Sequence, residues 1–341
     1  MKNTYYEFLP QDYYHHKLAR TVLRSLDKGE NVLVGGMYGC GLHVFSNVLV
    51  LAERQRKLFK GLEKWDAEEW MSKGEKLKRG AGKRLVLIYG FEKIEDRRKA
   101  LERLLVLRQS RLGEVVFLVI GDHSVVTEPE SYMAWSAPFF GEKIVIAPFD
   151  RTLTSRMVEV SGRYYNWAIP KNLYPKIYEL TGGIQRLVKH ICRMISDTGA
   201  GIGEWDEFMG SPSINFQLEL MTKILLQAGR KDLQTLGLLD EKGRIKSILL
   251  SEYYKRYQSL SVGQMFPGLS RLESKLLTLL LENKGRLVTV EKIGDMVELE
   301  GSEFSQWAIY KLVSRLKTKI RGSFRIISAK GRGYMIEQVV R

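Results

Sequence analysis

The sequence predicts an α/β protein in which a parallel sheet is followed by a helical region and then by a small unit of three helices and a β-hairpin. Over the first 150 residues, short apolar runs alternate with longer amphipathic segments, a pattern typical of parallel strands covered by helices on both faces. After Asp150 the periodicity becomes helical. Beyond Gly268 it recurs in three segments, which are followed by two short β segments around a glycine turn.

Composition limits the class of protein. A formal net charge of +15 over 341 residues raises the expectation of a polyanionic partner, because phosphates attract Lys and Arg. The two cysteines, Cys40 and Cys192, are far apart, which argues against a disulfide framework or a zinc site and favours a reduced, cytoplasmic setting. Apolar runs such as Val115–Ile120 are too short for a membrane span, and Met1–Gln11 lacks the pattern of a signal peptide.

Apolar runs and amphipathic stretches predict the elements of the first part. The predicted strands are Asn31–Val34, Arg84–Ile88, Val115–Ile120 and Lys143–Ile146. The predicted helices are 12–28, Val44–Leu58 and Asp96–Ser110, with a further helix carrying Trp65 and Trp70 in the charged stretch 60–84.

Four domains are expected from these patterns. Residues 1–150 form the α/β core, and residues 151–200 form a helical lid with a turn at Thr181–Gly183. Residues 201–265 are assigned to a small helical, winged-helix-like module and a linker, and residues 266–341 to the last domain. Within this plan, residues 199–213 are expected to be a loop and residues 258–268 a second linker.

A glycine-rich loop follows the first predicted strand. A working phosphate-binding loop reads G-x-x-x-x-G-K-[ST], in which the lysine neutralises the β- and γ-phosphates and the hydroxyl holds magnesium. Here the segment is Gly36-Met-Tyr-Gly-Cys-Gly-Leu-His43, so Leu42 and His43 occupy the two chemical positions. Backbone amides at Gly39 and Gly41 can still hold a phosphate, but without the lysine we expect neither ATP nor ADP as a cofactor.

ATPases with a phosphate-binding loop carry a second catalytic signature, and it is also altered here. An Asp-Glu pair for magnesium and the attacking water would follow the strand Leu85–Ile88, yet Tyr89 and Gly90 stand there. Glu92 and Asp96 come later and are not expected to substitute. Loss of four catalytic positions in two motifs predicts a protein that is not an ATPase.

In the order of glycine loop, buried strand and lid, residues 1–200 resemble the AAA+ and STAND ATPases, especially the origin-recognition-like branch. Leu180-Thr-Gly-Gly-Ile-Gln-Arg186 resembles the sensor-2 motif of the helical lid. The resemblance implies that Arg186 would face a γ-phosphate in an active relative, and here we expect it to pair with a carboxylate. It also implies a domain that acts as a scaffold for self-association or for a partner protein. The altered nucleotide site comprises Gly36, Gly39, Gly41, Leu42, His43, Tyr89, Gly90 and Arg186.

The last domain shows three helical segments and a hairpin. Leu269–Glu282 begins with Ser270 and Glu273 at capping-box spacing, and Val288 to Val297 forms the second helix. On the third helix, Ser305–Ile320, apolar residues repeat every three or four positions. A hairpin follows around residues 330–333. Helix, helix, helix and hairpin make a winged helix-turn-helix domain.

Charge indicates which surface of this domain binds DNA. Between Phe304 and Ile336 there are eight basic residues and no acidic one. This run covers the third helix and the hairpin, the elements that a winged helix presents to nucleic acid. A run of charged residues is more often simply a solvated surface. A basic run without acidic residues on these two elements nevertheless favours binding to duplex DNA.

The domain resembles the OmpR-type regulatory domain of response regulators. The likeness lies in Leu269-Ser-Arg-Leu-Glu273, Asn283-Lys-Gly-Arg286, Val313-Ser-Arg-Leu-Lys-Thr-Lys-Ile320 and Gly331-Arg-Gly-Tyr334. It implies a recognition helix at 305–320 and a wing tip at 328–334, with Lys330 in place of the usual wing arginine. The predicted DNA-binding residues are Trp307, Tyr310, Lys311, Ser314, Arg315, Lys317, Lys319, Lys330 and Arg332.

Two points remain open at this stage. Trp307 and Tyr310 either contact thymine methyls and sugars or pack at the start of the helix. Asp122-His123-Ser124 contains the residue types of a hydrolase triad, but a triad needs spatial convergence, so a sensor loop after the strand is the preferred interpretation. The histidines show no metal-binding spacing, and no metal site is expected.

These observations predict a DNA-binding transcriptional regulator that binds duplex DNA, assembles with itself or a partner protein, has no membrane partner, and is cytoplasmic and nucleoid-associated. The alternative is a nucleotide-dependent AAA+ or STAND ATPase of a replication, mobile-element or defence complex. A third class is an interaction protein in such an assembly, for which DNA is only a tether.

Overall fold

The computed structural model describes residues 4–73, 82–133, 139–199, 205–266, 268–283, 285–298, 305–321, 324–329 and 331–338. The chain divides into two compact units, Met1–Tyr253 and Tyr254–Arg341. The first contains the α/β core with its lid, and the second contains the C-terminal domain.

The first unit is built on a five-stranded parallel sheet in the order β2-β3-β4-β1-β5. Strands β1, β3 and β4 are buried along most or all of their length, which explains their continuous apolar runs. The strands are β1 (Val32–Gly36), β2 (Gly61–Asp66), β3 (Arg84–Tyr89), β4 (Val115–Ile120) and β5 (Glu142–Ile146).

Strand β2 corrects the sequence prediction. The charged stretch was assigned to a helix carrying Trp65, but Trp65 lies on β2 in register with Ile88 of β3. As an edge strand, β2 has one neighbour and no fully buried residue, so its polar residues are tolerated and hide the usual strand pattern. Trp70 does lie on a helix, and its ring packs edge-on against that of Trp65 at 6.3 Å.

Helices cover the sheet as the alternation predicted. Asp96 caps α5 by accepting a hydrogen bond from the Lys99 amide at 3.0 Å. The helices are α1 (Tyr5–Phe8), α2 (Tyr14–Asp27), α3 (Leu42–Arg56), α4 (Ala67–Lys73), α5 (Arg97–Ser110) and α6 (Ser124–Thr127).

The lid follows at Asp150, whose carboxylate accepts from the Leu153 amide at 2.7 Å and caps the first lid helix. The lid helices are α7 (Arg151–Tyr165), α8 (Tyr174–Thr181) and α9 (Gln185–Thr198), and the turn expected at Thr181–Gly183 is confirmed. Beyond them lie α10 (Trp205–Met209), α11 (Pro212–Gln227), α12 (Arg230–Thr235) and α13 (Ile248–Met265).

Two linker predictions were wrong in part. Helix α10 lies within the expected loop 199–213, and α13 continues through most of the expected linker 258–268. Serine, glutamine and glycine suggested a linker there, but no proline occurs between Ile248 and Met265, so the backbone hydrogen bonds of the helix can continue.

In the described part of the second unit, the end of α13 is followed by three helices and by a small antiparallel sheet in the order β6-β8-β7. The predicted capping box is confirmed: Ser270 Oγ accepts from the Glu273 amide at 3.3 Å, and Glu273 Oε2 accepts from the Ser270 amide at 2.6 Å. The elements are α14 (Arg271–Glu282), β6 (Val288–Thr289), α15 (Val290–Glu298), α16 (Gln306–Lys319), β7 (Phe324–Ala329) and β8 (Gly333–Gln338). This arrangement is the predicted winged helix.

None of the described helices combines the length and apolar character needed to cross a bilayer. Within the same ranges, no group of three or more His, Cys, Asp or Glu side chains is placed to hold a metal ion.

Candidate DNA-binding surface and the altered glycine loop

The glycine-rich segment forms a loop between a strand and a helix, as the sequence predicted. It joins the end of β1 to the start of α3, and both Gly39 (φ +88°) and Gly41 (φ +85°) adopt the left-handed conformation that favours glycine. Gly36 lies where β1 meets β5, and a side-chain carbon there would come 2.5 Å from the Ile146 carbonyl oxygen. The sequence prediction placed this loop correctly.

Side chains from the lid and from α11 lie directly on the two loop glycines. A side-chain carbon at Gly41 would overlap Gln185 Oε1, and one at Gly39 would come 2.8 Å from Met221 Cε. The backbone amide of Arg186 also donates to the Gly39 carbonyl at 2.9 Å. The glycines therefore allow the lid to approach the loop closely.

Arg186 is held by neutral partners. Its Nε donates to Gln217 Oε1 at 3.1 Å, and its Nη2 donates to the Tyr38 hydroxyl at 3.0 Å. The Tyr38 hydroxyl in turn donates to Gln217 Oε1 at 2.9 Å, and the guanidinium carbon lies 5.5 Å from the centre of the Tyr38 ring. The expected carboxylate partner was therefore wrong: a phenol and an amide hold this arginine.

The other positions of the predicted nucleotide site are Leu42, His43, Tyr89 and Gly90. Leu42 and His43 open α3, and the exposed His43 ring lies 3.2 Å from Asn47 Nδ2. Tyr89 ends β3, where burial raises the pKa of its hydroxyl although a hydrogen bond with Ser46 acts in the opposite direction. Gly90 follows with φ +69°. The end of β3 thus carries a phenol, followed by a residue without a side chain.

Glu92 and Asp96 are the two carboxylates that follow this position in the sequence. Asp96 is the exposed cap of α5. Burial raises the pKa of Glu92, which disfavours its charged form. A metal-binding role would need that charge.

The Asp122-His123-Ser124 segment is not arranged as a hydrolase triad. His123 Nδ1 lies 3.1 Å from Asp122 Oδ2, but the Ser124 hydroxyl is buried and lies 2.6 Å from the Tyr132 hydroxyl. Burial opposes ionisation of Asp122, yet hydrogen bonds from His123 and Ser124 hold its pKa down at about 2. The segment is a hydrogen-bonded turn after β4, consistent with the preferred sequence interpretation of a loop.

Helix α16 separates its apolar and polar residues cleanly. Its inner face carries Ile309, Leu312, Val313 and Leu316, all buried in the core of the second unit. Ser305 caps the helix by accepting from the Ala308 amide at 3.0 Å. The predicted buried face of the recognition helix is thereby confirmed.

Two aromatic side chains stand out on the outer face. Trp307 is 65% exposed and Tyr310 is 64% exposed. Lys311 Nζ lies 3.4 Å above the centre of the Trp307 ring, a cation–π contact one helical turn apart. These exposures argue against the alternative in which the two rings pack at the helix start.

Exposed cations and a hydroxyl continue this face. Lys311, Ser314, Arg315 and Lys317 are all exposed on α16, and Arg332 is exposed at the turn between β7 and β8. Lys330, the other predicted wing cation, lies outside the described residues.

A groove of about 400 Å³ lies between the first turns of α16 and the wing. Its walls include Trp307 and Tyr310 from the helix and Ser328, Gly331 and Tyr334 from the hairpin. The fold therefore brings the predicted recognition helix and wing tip together on one surface.

Lys319, which was predicted for the DNA face, is also paired within the domain. Its ammonium donates to Glu273 Oε2 at 2.7 Å and to the Gly268 carbonyl at 2.8 Å. The Glu273 side chain is only 2% exposed. Burial opposes its ionisation, but hydrogen bonds from Lys319 and Ser270 hold the pKa of Glu273 below its usual value. Lys319 therefore ties α16 to α14.

Comparison with known proteins agrees with the C-terminal domain. Residues 267–336 match the family described as "Transcriptional regulatory protein, C terminal". The C-terminal unit is thus a DNA-binding domain of the transcriptional regulator type, as the OmpR-type resemblance predicted.

Similar solved structures include several ATPases. The Walker-type ATPase of Pyrococcus abyssi is 13% identical, with a TM-score of 0.45 and coverage of 98% of this chain and 97% of that chain. The Thermotoga maritima RuvB Holliday junction branch migration motor is 12% identical, with a TM-score of 0.43 and coverage of 97% and 93%. The replication initiator DnaA, bound to AMPPCP and single-stranded DNA, is 15% identical, with a TM-score of 0.47 and coverage of 93% and 96%. No curated protein sequence matches the chain.

Proposed function

We propose that this protein is a transcriptional regulator that binds duplex DNA through α16 and the wing, while its α/β unit serves as a scaffold that does not hydrolyse ATP. The observation that carries the proposal is the outer face of α16. It combines exposed Trp307 and Tyr310 with exposed Lys311, Arg315 and Lys317, next to a wing that shares the same groove.

The chemistry of this face suits a duplex. Exposed Lys and Arg side chains neutralise phosphates and supply affinity that does not depend on sequence. Trp307 and Tyr310 offer apolar surface for thymine methyl groups in the major groove. Lys311 is placed over Trp307, so its ammonium is held near the bases and not left free to swing in solvent.

Support for a scaffold role comes from the glycine loop. Leu42 provides no charge for a phosphate, and Tyr89 and Gly90 provide no carboxylate for magnesium. Gln185 and Met221 pack on the loop glycines. We therefore propose that neither ATP nor ADP is a cofactor, and that the unit mediates self-association or contact with a partner protein of a cytoplasmic, nucleoid-associated regulator.

The DNA-binding proposal is tested on the full chain by fluorescence anisotropy with genomic duplexes selected by the protein itself. Arg315→Ala with Lys317→Ala should reduce the affinity by about 100-fold, if each loss removes about 1.4 kcal/mol. The slope of log affinity against log salt should become shallower by about 1.8, since two phosphate contacts are lost. Lys319 is left unchanged, because its loss would disturb the fold.

The matched control removes the same two charges elsewhere. Lys231→Ala with Lys242→Ala changes two exposed lysines of the first unit and should leave both affinity and salt slope near the wild-type values. Equal losses in the two double variants would show that only overall charge matters and would contradict the assigned surface. ATP turnover above background by the same preparation would favour the ATPase alternative.

A further inference from the structure

Three aromatic side chains line the groove of about 400 Å³ between the first turns of α16 and the wing. Trp307 and Tyr310 come from the helix, and Tyr334 comes from β8 of the wing. Burial and, to a smaller extent, the nearby Tyr310 phenol raise the pKa of Tyr334. The groove thus has aromatic groups on the helix side and on the wing side.

These rings are better placed for the face of a base than for its edge. A base within an intact duplex presents only its edge in the groove, because base pairs are stacked on one another. An aromatic side chain gains most from a base by stacking on its face. Trp307 is 65% exposed and Tyr310 is 64% exposed, so both rings leave a large aromatic surface uncovered beside a concave space. Such a space suits a base that has left the stack.

The groove also carries groups that can hydrogen-bond to a base. Gln306 and Ser328 are exposed and line the groove. The Gln306 amide offers donors and an acceptor, and the Ser328 hydroxyl can act as either. Enzymes that extrude bases hold them in this way, by stacking and by hydrogen bonds to the edge of the base. The lining of the groove therefore combines both kinds of contact.

Cations adjoin the groove on both sides. Lys311 Nζ lies 3.4 Å from the centre of the Trp307 ring, and the exposed Arg332 lies at the turn between β7 and β8. The sequence from Phe304 to Ile336 contains no acidic residue. A nucleotide within a DNA strand is flanked by two phosphates, which attract such cations. The charge around the groove therefore suits a base that is still attached to its strand.

We propose that the groove between α16 and the wing binds one unpaired base of a DNA molecule whose flanking duplex is held by the cations of α16. This site rests on the proposed DNA-binding function and narrows its preferred target to duplexes that contain a bulged nucleotide. Extruding a base from the stack costs free energy, and the cost is smallest for a base that has no pairing partner. A bulged duplex is therefore bound more tightly than the same duplex fully paired.

The experiment is fluorescence anisotropy of the full chain with duplexes that the protein itself selects. Each duplex is prepared fully paired and with one extra thymidine at successive positions of one strand. At one position, or at two adjacent ones, the bulge should raise the affinity about tenfold, which is within the range for one base stacked on an aromatic side chain. An extra abasic nucleotide at the same position keeps the flexible backbone without the base. It should not give this gain, which separates binding of the base from easier bending of the DNA.

Variants of the groove test which side chain holds the base. Trp307→Leu removes the ring from an exposed position, so the chain should melt as wild type does. Its preference for the base-bearing bulge over the abasic bulge should fall from about tenfold to about threefold or less. Trp307→Tyr keeps an aromatic ring and should retain most of the preference. Phe216→Leu is the matched control, because Phe216 is 57% exposed on α11 of the first unit, and it should leave the preference unchanged.

Two results would overturn this site while leaving duplex binding intact. One is equal affinity for the paired, bulged and abasic duplexes at every position of the extra nucleotide. The other is a preference for the base-bearing bulge that survives Trp307→Leu unchanged, since the base would then lie elsewhere. If the protein binds none of these duplexes, the DNA-binding proposal fails together with the site.

Discussion

The glycine loop of the first unit and helix α16 of the second both carry the pattern of a known motif, but they keep different parts of it. The loop keeps its left-handed glycines at positions 39 and 41 and has Leu42 and His43 in place of the catalytic side chains. Helix α16 keeps both its buried apolar face and an exposed cationic face. Under the proposal that the first unit does not hydrolyse ATP, the loop glycines are kept because Gln185 and Met221 pack on them.

The comparison also shows how the two regions use charge. Around the loop, Arg186 is held by Tyr38 and Gln217, which are neutral. In the winged helix, Lys319 and the buried Glu273 form an ion pair at 2.7 Å. Contacts near the loop are therefore less dependent on ionisation than those that fix α16. The predictions below use this difference.

The largest expected effect comes from adding one methyl group to the loop. Gly41→Ala should destabilise the first unit by about 2–5 kcal/mol, combining the cost of a left-handed alanine with overpacking against Gln185. Gly113→Ala is the matched control, because Gly113 has a similar φ of +82° and open space around it; it should cost only about 1–2 kcal/mol. Urea unfolding followed by circular dichroism measures both.

The Gly41 experiment also decides what the loop does. A Gly41→Ala chain that keeps wild-type stability would break the comparison, because the glycine would then not be needed for lid packing. Gln185→Ala introduced together with Gly41→Ala should recover part of the loss, since it removes the atom that the new carbon overlaps.

The ion pair of the winged helix should give the next largest effect. Lys319→Met leaves the buried Glu273 carboxylate without its cationic partner and should destabilise the second unit by about 1–3 kcal/mol. Lys317→Met, two residues earlier on the exposed face, should change stability by no more than about 0.5 kcal/mol. Hydrogen–deuterium exchange of peptides from α14 and α16 reports on this unit alone. Equal protection of these peptides in the two variants would show that the ion pair does not stabilise this unit, and would favour a role for Lys319 in DNA binding alone.

The smallest expected effect is the change in unfolding free energy for each unit of pH, and its onset should differ between the two units. Burial lowers the folded pKa of His15 to about 3, so the unfolded chain takes up a proton first as the pH falls below about 6.5. This contribution is complete above that pH and declines by about 1.4 kcal/mol per pH unit below it. The pKa of Glu273 is also lowered, so its contribution is lost only as the pH falls below the ordinary carboxylate range.

The measurement is urea unfolding at several pH values for wild type and His15→Phe. Wild type should lose stability between about pH 6 and pH 4 more steeply than the variant, because only wild type has a histidine at position 15 to protonate. Parallel pH curves would show that His15 titrates normally and would contradict its description as a buried neutral ring.

Much of the fold followed from local pattern. Continuous apolar runs marked β1, β3 and β4, which are interior strands buried along most or all of their length. The run Ile144–Ile146 also marked β5, although β5 is an edge strand. Capping signals placed the start of α14 at Ser270. In the winged helix, the repeat of Ile309, Leu312, Val313 and Leu316 predicted which face of α16 is buried, and the outer face followed from it.

What the sequence concealed depends on contacts between distant residues or on position in the sheet. Strand β2 is an edge strand, so its pattern Gly61–Asp66 looked like a charged helix. In the sequence, Lys319 resembles the other cations of α16, because its partner Glu273 lies on α14, 46 positions away. His15 and Gln185 are far apart in sequence, yet both pack next to Gly41, and no local signal linked them.

The hydrogen-bonded trio of Tyr38, Arg186 and Gln217 fastens the lid with groups supplied entirely by the chain. A ligand that used the Arg186 guanidinium would have to displace both Tyr38 and Gln217. Its binding would therefore compete with the hydrogen bond that joins the lid to the glycine loop.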